Sequence, residues 1–309
     1  MARVPVVSVG NLAMGGRGKT PAVAAIARLL VAAGERPAIL SRGYRRRAPQ
    51  TGVVIVSDGL HLRADLDRSG DEPLMLARQV PGAAVLVCRV RAEAAALAES
   101  ELGATVHVLD DGFQHRSLAR DVDIVIVAPR DLRDRRLPFG RLRSSPRALA
   151  RADAVIVDDA TIASVAADLD KVSDARRTPR FALTRRLGEP WMLERGRPAL
   201  SRERPVVAAA GIAAPERFSR ALEGNGWRIA RFVAFPDHHA FTRADLDRVA
   251  RALADTGASG VVTTEKDAMR WLLLRPLPFA MAAVPLTVEI GDGGEFGTWL
   301  LARLREVRA

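Results

Sequence analysis

Short apolar runs alternate with helix-period stretches along the first half of the chain. Strand-like runs lie at 4–9, 37–40, 53–56, 83–87, 105–109, 122–127 and 154–157, and helix-period stretches at 20–33, 72–79 and 92–102. The strands are continuously apolar rather than alternating. That pattern predicts a parallel sheet covered on both faces. Ligands of such sheets gather at the carboxyl ends of the strands. Residues 13–20, 41–44 and the pair Asp110-Asp111 all fall there.

Residues 171–204 break the rhythm. They are rich in Arg and Pro and hold the extended-looking pieces RFALTRR and PWMLER, which predict a linker or two-stranded connector. Alternation resumes with VVAAAGI at 206–212, a helix at 215–223, a strand at 228–233, a helix at 243–255, strands at 260–264 and 286–290, and a final helix at 295–307. The expected division is therefore 1–175 as a nucleotide-binding domain, 176–204 as connector and 205–309 as a smaller α/β domain. The two would face each other across a cleft, a common place for an active site.

The reason to expect nucleotide is VPVVSVGNLAMGGRGKT at 4–20. A β-branched run leads into a glycine-rich turn, then Lys19-Thr20, then an apolar-periodic helix. Glycines let backbone N–H groups crowd around phosphate oxygens, and the helix N-terminus adds partial positive charge. Ala13, Met14, Gly15, Gly16, Arg17, Gly18, Lys19 and Thr20 form the expected cradle, with Lys19 reaching the β/γ-phosphates and Thr20 binding Mg²⁺. Ala13 stands where the G-x-x-x-x-G-K-[ST] pattern has its first glycine. The expected fold is α/β: a P-loop NTPase-like, mostly parallel sheet with helices on both faces, plus the second domain.

Composition narrows the partners. At 309 residues the chain has room for two cores. Its net charge is +11, yet only 5% of residues are aromatic and no nucleic-acid recognition motif is present. Those features argue against nucleic acid and suit an anionic lipid surface. One cysteine, Cys88, excludes an internal disulfide and reads as a buried structural thiol. No leader pattern opens the sequence, and no apolar run nears the roughly 20 residues of a spanning helix. Lysine occurs only at Lys19, Lys171 and Lys266, arginine filling the other basic positions. Where lysine persists, a compact ammonium is the reason to look for.

Further candidates follow. TVHVLDDGFQH at 105–115 is a hydrophobic strand ending in Asp110 and Asp111, suited to Mg²⁺ beside a phosphate loop. Asp71 and Glu72 precede a helical stretch, as an N-cap would or as a general base toward a hydroxyl would. His238 and His239 sit in PDHHAF with poor spacing for zinc, either as solvated loop residues or as one catalytic group. SRGYRRR places arginines around Tyr44, as a solvated basic loop or as anion forks.

VVSVGNLAMGGRGKTP (6–21), SRGY (41–44), GDEP (70–73), DDGFQH (110–115), LPFGRLRSSP (137–146), RAD (151–153), PDHHAF (236–241) and TTEKDA (263–268) together resemble, in order and spread, the tetraacyldisaccharide 4'-kinase family. The resemblance implies ATP-dependent, Mg²⁺-dependent phosphorylation of the 4'-hydroxyl of tetraacyldisaccharide 1-phosphate, giving lipid IVA in lipid A biosynthesis. It implies a peripheral enzyme on the cytoplasmic face of the inner membrane. It maps a catalytic dyad onto Asp71 and His238, with His239 the alternative, nucleotide and metal binding onto Lys19, Thr20, Asp110 and Asp111, and substrate binding onto Arg42, Tyr44, Gln114 and His115. No role maps onto Glu265, Lys266 and Asp267. The family's LPAGPLREP reads LPFGRLRSSP here, with Arg141 for a proline and Ser144 for an acidic residue. The apolar helix usual ahead of the first strand is missing from this sequence, so either the start lies further upstream or the basic surface and cleft rim hold the membrane. Two alternatives stay open: a degenerate member, or a regulatory P-loop NTPase that binds nucleotide without phosphorylating lipid.

Overall fold

VVSVGN forms β1 (Val6–Asn11), and every residue of it is buried. A strand covered on both faces needs apolar or small side chains at successive positions, which explains the unbroken run. In the computed structural model, described for all residues except Met1, Gly16, Arg17, Tyr44, Arg45, Arg47, Pro49, Gln50, Arg116 and 175–177, β1 lies inside a nine-stranded sheet. β5 (Val106–Asp110) and β6 (Val122–Val127) flank it in parallel. Beyond β5 come β2 (Pro37–Ser41) and β4 (Ala84–Val87), both parallel, and β3 (Val54–Asp58), antiparallel at the edge. Beyond β6 come β7 (Ala154–Asp158) and β8 (Arg180–Leu187), both parallel, with β14 (Leu286–Ile290) at the far edge. The helices of this unit are α1 (Lys19–Ala32), α2 (Leu66–Ser69), α3 (Asp71–Gln79), α4 (Arg91–Glu101), α5 (Ile162–Asp170) and α9 (Glu295–Arg308).

Burial follows the pattern. α1 buries Val23, Ile26, Ala27 and Leu30. One apolar cluster gathers Leu40, Leu86, Leu109 and Cys88 with the alanines of α4, and another gathers Leu12, Phe113, Val125, Val155 and Leu142. Cys88 is a packed thiol, and its pKa is raised, chiefly by burial.

The second sheet has β10 (Val206–Ala210) between β11 (Ile229–Ala234) and β12 (Val261–Thr264), then β13 (Met281–Val284), all parallel. β9 (Trp191–Met192) closes it antiparallel to β13. Its helices are α6 (Pro215–Gly224), α7 (Arg243–Thr256) and α8 (Glu265–Trp271). Neither β13 nor α8 is foreseen in the pattern. β13 is four small or flexible apolar residues, and α8 is only seven residues long and follows β12 directly, with Thr264 as its cap.

Contacts divide the chain into Met1–Thr184 with Val288–Ala309, and Arg185–Thr287. This differs from the division expected at 205–309. The last helix joins the first unit because Phe296 packs edge-on against Phe181 at 5.1 Å and Arg308 grips Glu35 through two hydrogen bonds of 2.7 and 2.8 Å. RFALTRR likewise is not loose connector: most of it extends the large sheet as β8.

Candidate phosphate-loop and carboxylate site

β1 ends at Asn11 and α1 begins at Lys19, so the turn between them covers the carboxyl end of an interior strand. Gly15 and Gly18 hold φ of 102° and 84°, the left-handed region that glycine enters without strain. Gly18 caps α1 without a side-chain cap bond, so among the described residues the helix start is suited to an anion. Lys19 and Thr20 occupy the first turn. Gly16 and Arg17 lie outside the described residues, as does Tyr44. Ala13 is fully buried and bridges Leu142, and Met14 is exposed.

Four side chains converge at the root of this loop. Lys19 Nζ lies 3.1 Å from Asn11 Oδ1 and 3.5 Å from Asp111 Oδ1. Arg143 grips Asp111 with both guanidinium ends, at 2.7 and 2.6 Å, and donates to Asn11 Oδ1 at 2.6 Å. Asp111 itself sits at φ 59°, a backbone turn that aspartate tolerates better than most. Burial raises its pKa, but the Arg143 hydrogen bond and the Lys19 and Arg143 charges outweigh burial and hold it low. The carboxylate is therefore ionised and fixed.

Asp110, one residue earlier at the end of β5, is the opposite case. It is almost fully buried, and its pKa is pushed up to about 7, first by burial and then by the negative charges of Glu72 and Asp111, against the pull of Lys19 and Arg91. Ser41 Oγ, at the end of β2, stands 3.5 Å away. Arg91 is 4% exposed; burial works against its charge and the two aspartates favour it. Asp71, also buried, opens α3 directly after Gly70. Arg42 is exposed and close enough to Arg91 and His115 for its charge to act on both. The His115 pKa is lowered, first by burial and then by Arg91, Arg120 and Arg42.

LPFGRLRSSP folds onto the phosphate loop. Met14 N donates to Arg141 O at 2.8 Å, and the amides of Arg143 and Ser144 donate to Leu12 O at 2.7 and 3.2 Å. Gln114 ties the two together, its Nε2 donating to Asn11 O at 2.8 Å and Ser144 Oγ at 3.1 Å. Ser144 thus joins the brace through a neutral hydroxyl, and Arg141 contributes its backbone.

In the second unit, α8 and the PDHHAF loop form their own cluster. His238 sits at φ 61° with Lys266 Nζ 3.0 Å from Nε2 and Arg270 Nη2 3.1 Å from Nδ1. Its amide donates to Gly211 O, and Gly211 N donates to the fully buried Asp267. The Asp267 pKa is raised by burial, against hydrogen bonds from Gly211 and Thr264 and the charges of Arg270 and Lys266. His239 is differently placed. Its ring stacks on Phe235 at 5.1 Å and its Nε2 meets Asp245 Oδ2 at 3.0 Å. Burial raises the Asp245 pKa, but hydrogen bonds from His239 and Thr242 outweigh it.

Asn11, Arg143 and Arg91 are thus part of the arrangement without having been singled out in the sequence for it. Asn11 carried a signal, as one of only two asparagines. Arg143 and Arg91 carried none in a chain saturated with arginine.

A family model described as Tetraacyldisaccharide-1-P 4'-kinase matches residues 1–305. The chain is 45% identical over 282 residues to the tetraacyldisaccharide 4'-kinase of Anaeromyxobacter dehalogenans strain 2CP-C, covering 87% of this chain and 73% of that protein. It is 38% identical over 320 residues to the tetraacyldisaccharide 4'-kinase of Bradyrhizobium sp. strain BTAi1, covering 99% and 86%. A crystal structure of LpxK from Aquifex aeolicus in complex with ATP superimposes with a TM-score of 0.75 at 29% identity, over 98% of this chain and 89% of that one.

Proposed function

Since the chain belongs to the tetraacyldisaccharide-1-P 4'-kinase family, we propose that it transfers the γ-phosphoryl group of ATP to the 4'-hydroxyl of tetraacyldisaccharide 1-phosphate, a step of lipid A biosynthesis. The observation that carries the reading is the convergence of Lys19, Asn11, Arg143 and Asp111 at the root of the glycine turn. Phosphoryl transfer needs positioning and charge neutralisation more than covalent chemistry. Lys19 and the α1 amides would hold the β/γ-phosphates, and Arg143 adds a second positive group fixed by two hydrogen bonds.

The donor set fits Mg²⁺. Thr20, Asp110 and Asp111 offer hard oxygens, and Mg²⁺ characteristically takes one or two carboxylates, with phosphate oxygens and water completing its shell. No group of three or more His, Cys, Asp or Glu side chains forms an all-protein cage among the described residues. Asp110 supports the assignment: burial and the Glu72 and Asp111 charges push its pKa up to about 7, so a cation held beside it would favour the ionised form. Thr20, Asp110 and Asp111 would hold the ion, which would supply positive charge against the negative charge of the transferred phosphoryl group.

Asp71 is assigned as acceptor of the sugar hydroxyl proton and His238 as its partner in that transfer. The choice of His238 over His239 is supported by the second ring's fixed stacking on Phe235 and its bond to Asp245. Arg42, Tyr44, Gln114 and His115 are assigned to substrate, Gln114 by bracing the loop. The surface partner is an anionic membrane, on the cytoplasmic face, and not nucleic acid. No helix among the described residues is long and apolar enough to cross a membrane.

The test is a transfer assay with Mg²⁺, γ-labelled ATP and tetraacyldisaccharide 1-phosphate in detergent micelles. Label enters the lipid, and Lys19→Ala loses about 10²–10³ of that rate, as removal of one transition-state donor does. Asp71→Asn lowers kcat while ATP binding persists. ATP binding with no label in the lipid would sink the reading.

A further inference from the structure

The turn that carries Arg143 into the site also carries something the reaction does not use. Phe139 is 84% exposed, Leu137 49% and, across the turn on the phosphate loop, Met14 53%. Single exposed apolar residues need no explanation, but three carried on one short hydrogen-bonded segment do. Backbone hydrogen bonds hold the segment together. Leu137 N donates to Leu142 O at 3.0 Å, Phe139 N to Arg136 O at 3.0 Å and Met14 N to Arg141 O at 2.8 Å. Leu137, Pro138 and Phe139 form the crest of that turn, and all three are exposed.

Charge surrounds the crest. Arg135 and Arg136 are exposed on its approach, and neither has an ion-pair partner among the described residues. Arg141 stands on the return, its guanidinium over Gly15 of the phosphate loop. Arg133 is paired with Asp168, at 2.8 Å. Asp134, just ahead of the turn, accepts the amide of Arg135 at 2.7 Å.

We propose that this turn, residues 135–141 with Met14, is where the protein docks on an anionic lipid bilayer. An aromatic and aliphatic crest enters the acyl boundary, while arginines stay level with the phosphates and bury their stems. Charge complementarity selects an anionic over a neutral surface. The inference deepens the kinase reading and rests on its lipid substrate. Because the same short turn places Arg143 on Asp111, docking brings the phosphate loop to the surface in which the substrate is dissolved.

The experiment is flotation with phosphatidylglycerol-containing and pure phosphatidylcholine vesicles, using wild type, Phe139→Asp and the double variant Arg135→Gln/Arg136→Gln. Thermal midpoints check that each variant is folded. Phe139→Asp is expected to lower partitioning at least tenfold on the anionic vesicles. The double arginine variant is expected to lose about thirty-fold there, two charges at the usual per-residue attraction, and to match wild type on phosphatidylcholine. Turnover in detergent micelles stays at the wild-type level for both variants, and turnover on vesicle-borne substrate falls. Wild-type partitioning of Phe139→Asp would overturn the proposal. So would an equal fall in micelles and vesicles, or a concentration-dependent dimer that Phe139→Asp dissolves. Flotation needs no catalysis, so a wild type that floats but never labels lipid would refute the kinase reading and leave docking standing.

Discussion

The ε-ammonium of Lys266 lies 3.0 Å from Nε2 of His238, while Arg270 meets Nδ1 of the same ring at 3.1 Å. A neutral imidazole has one acceptor nitrogen, so the two donors cannot both hydrogen-bond to it; together they clamp the ring from opposite edges. Lys266 also stands 3.5 Å from Asp237. A compact ammonium fits between ring and carboxylate where a planar guanidinium would not. This gives the third of the chain's lysines a structural reason.

Lys266→Met should therefore lower kcat by about tenfold or more, with KM for ATP unchanged, if His238 takes part in proton transfer. Lys266→Arg should not restore it, and Lys171→Met should behave as wild type. In a His238→Ala background, Lys266→Met should add little, because two residues acting through one group are non-additive. Full additivity in steady-state kinetics would separate the two residues.

Arg143→Ala should cost about 10² in kcat/KM, since it leaves Asp111 with Lys19 alone and strips Asn11 of a charged donor. Arg143→Lys should recover only a small part, one ammonium being unable to reproduce the two-ended grip. Micelle assays at varied ATP check both, and unchanged kcat/KM in Arg143→Ala would remove this residue from the site.

Gly10→Ala should destabilise the first unit by about 3 kcal/mol, the upper end for overpacking a filled core. A Cβ there would overlap Phe113 Cβ and lie 2.9 Å from Phe113 N, and backbone cannot swing aside. Urea denaturation reads the loss, and stability equal to wild type would mean that β1 and the segment after β5 can separate at small cost.

His107 supplies a pH dependence. It is fully buried in β5, and burial lowers its pKa below 6.5 despite the Glu99 carboxylate 3.0 Å away. The unfolded chain then binds a proton that the folded chain does not, so stability should fall as pH drops below about 6.5. His107→Phe should flatten that part of the profile. An identical slope in the variant, measured by denaturation between pH 7.5 and 5.5, would assign the effect to another group.

The strand, glycine turn and helix around residues 6–32, and the carboxylate pair at the end of β5, were legible because each is local. Hydrophobic period and turn chemistry act over a few residues, and the apolar runs of β1, β2, β5 and β6 could only be buried strands. Asp110 and Lys19 were likewise readable as a pair, since adjacent parallel strands put their carboxyl ends on one edge. The sequence by itself thus determined the mostly parallel sheet, the glycine turn after its first strand and the carboxylate pair at the end of β5. Tertiary structure alone decided the rest. Arg143 reaches Asp111 because the turn after Leu137 hydrogen-bonds to residues 12–14, a pairing across more than a hundred residues that no periodicity encodes. The last helix joined the first unit through Phe296 and Arg308, whose partners Phe181 and Glu35 are indistinguishable in sequence from other aromatic and acidic residues. His238 and His239 are neighbours of identical chemistry, separated only by what packs on each: cations on one ring, an aromatic face and a carboxylate on the other. Asp110 and Asp111 divide in the same way. Burial keeps one near neutrality and a guanidinium keeps its neighbour ionised, a difference that arises only when distant charges are brought within reach.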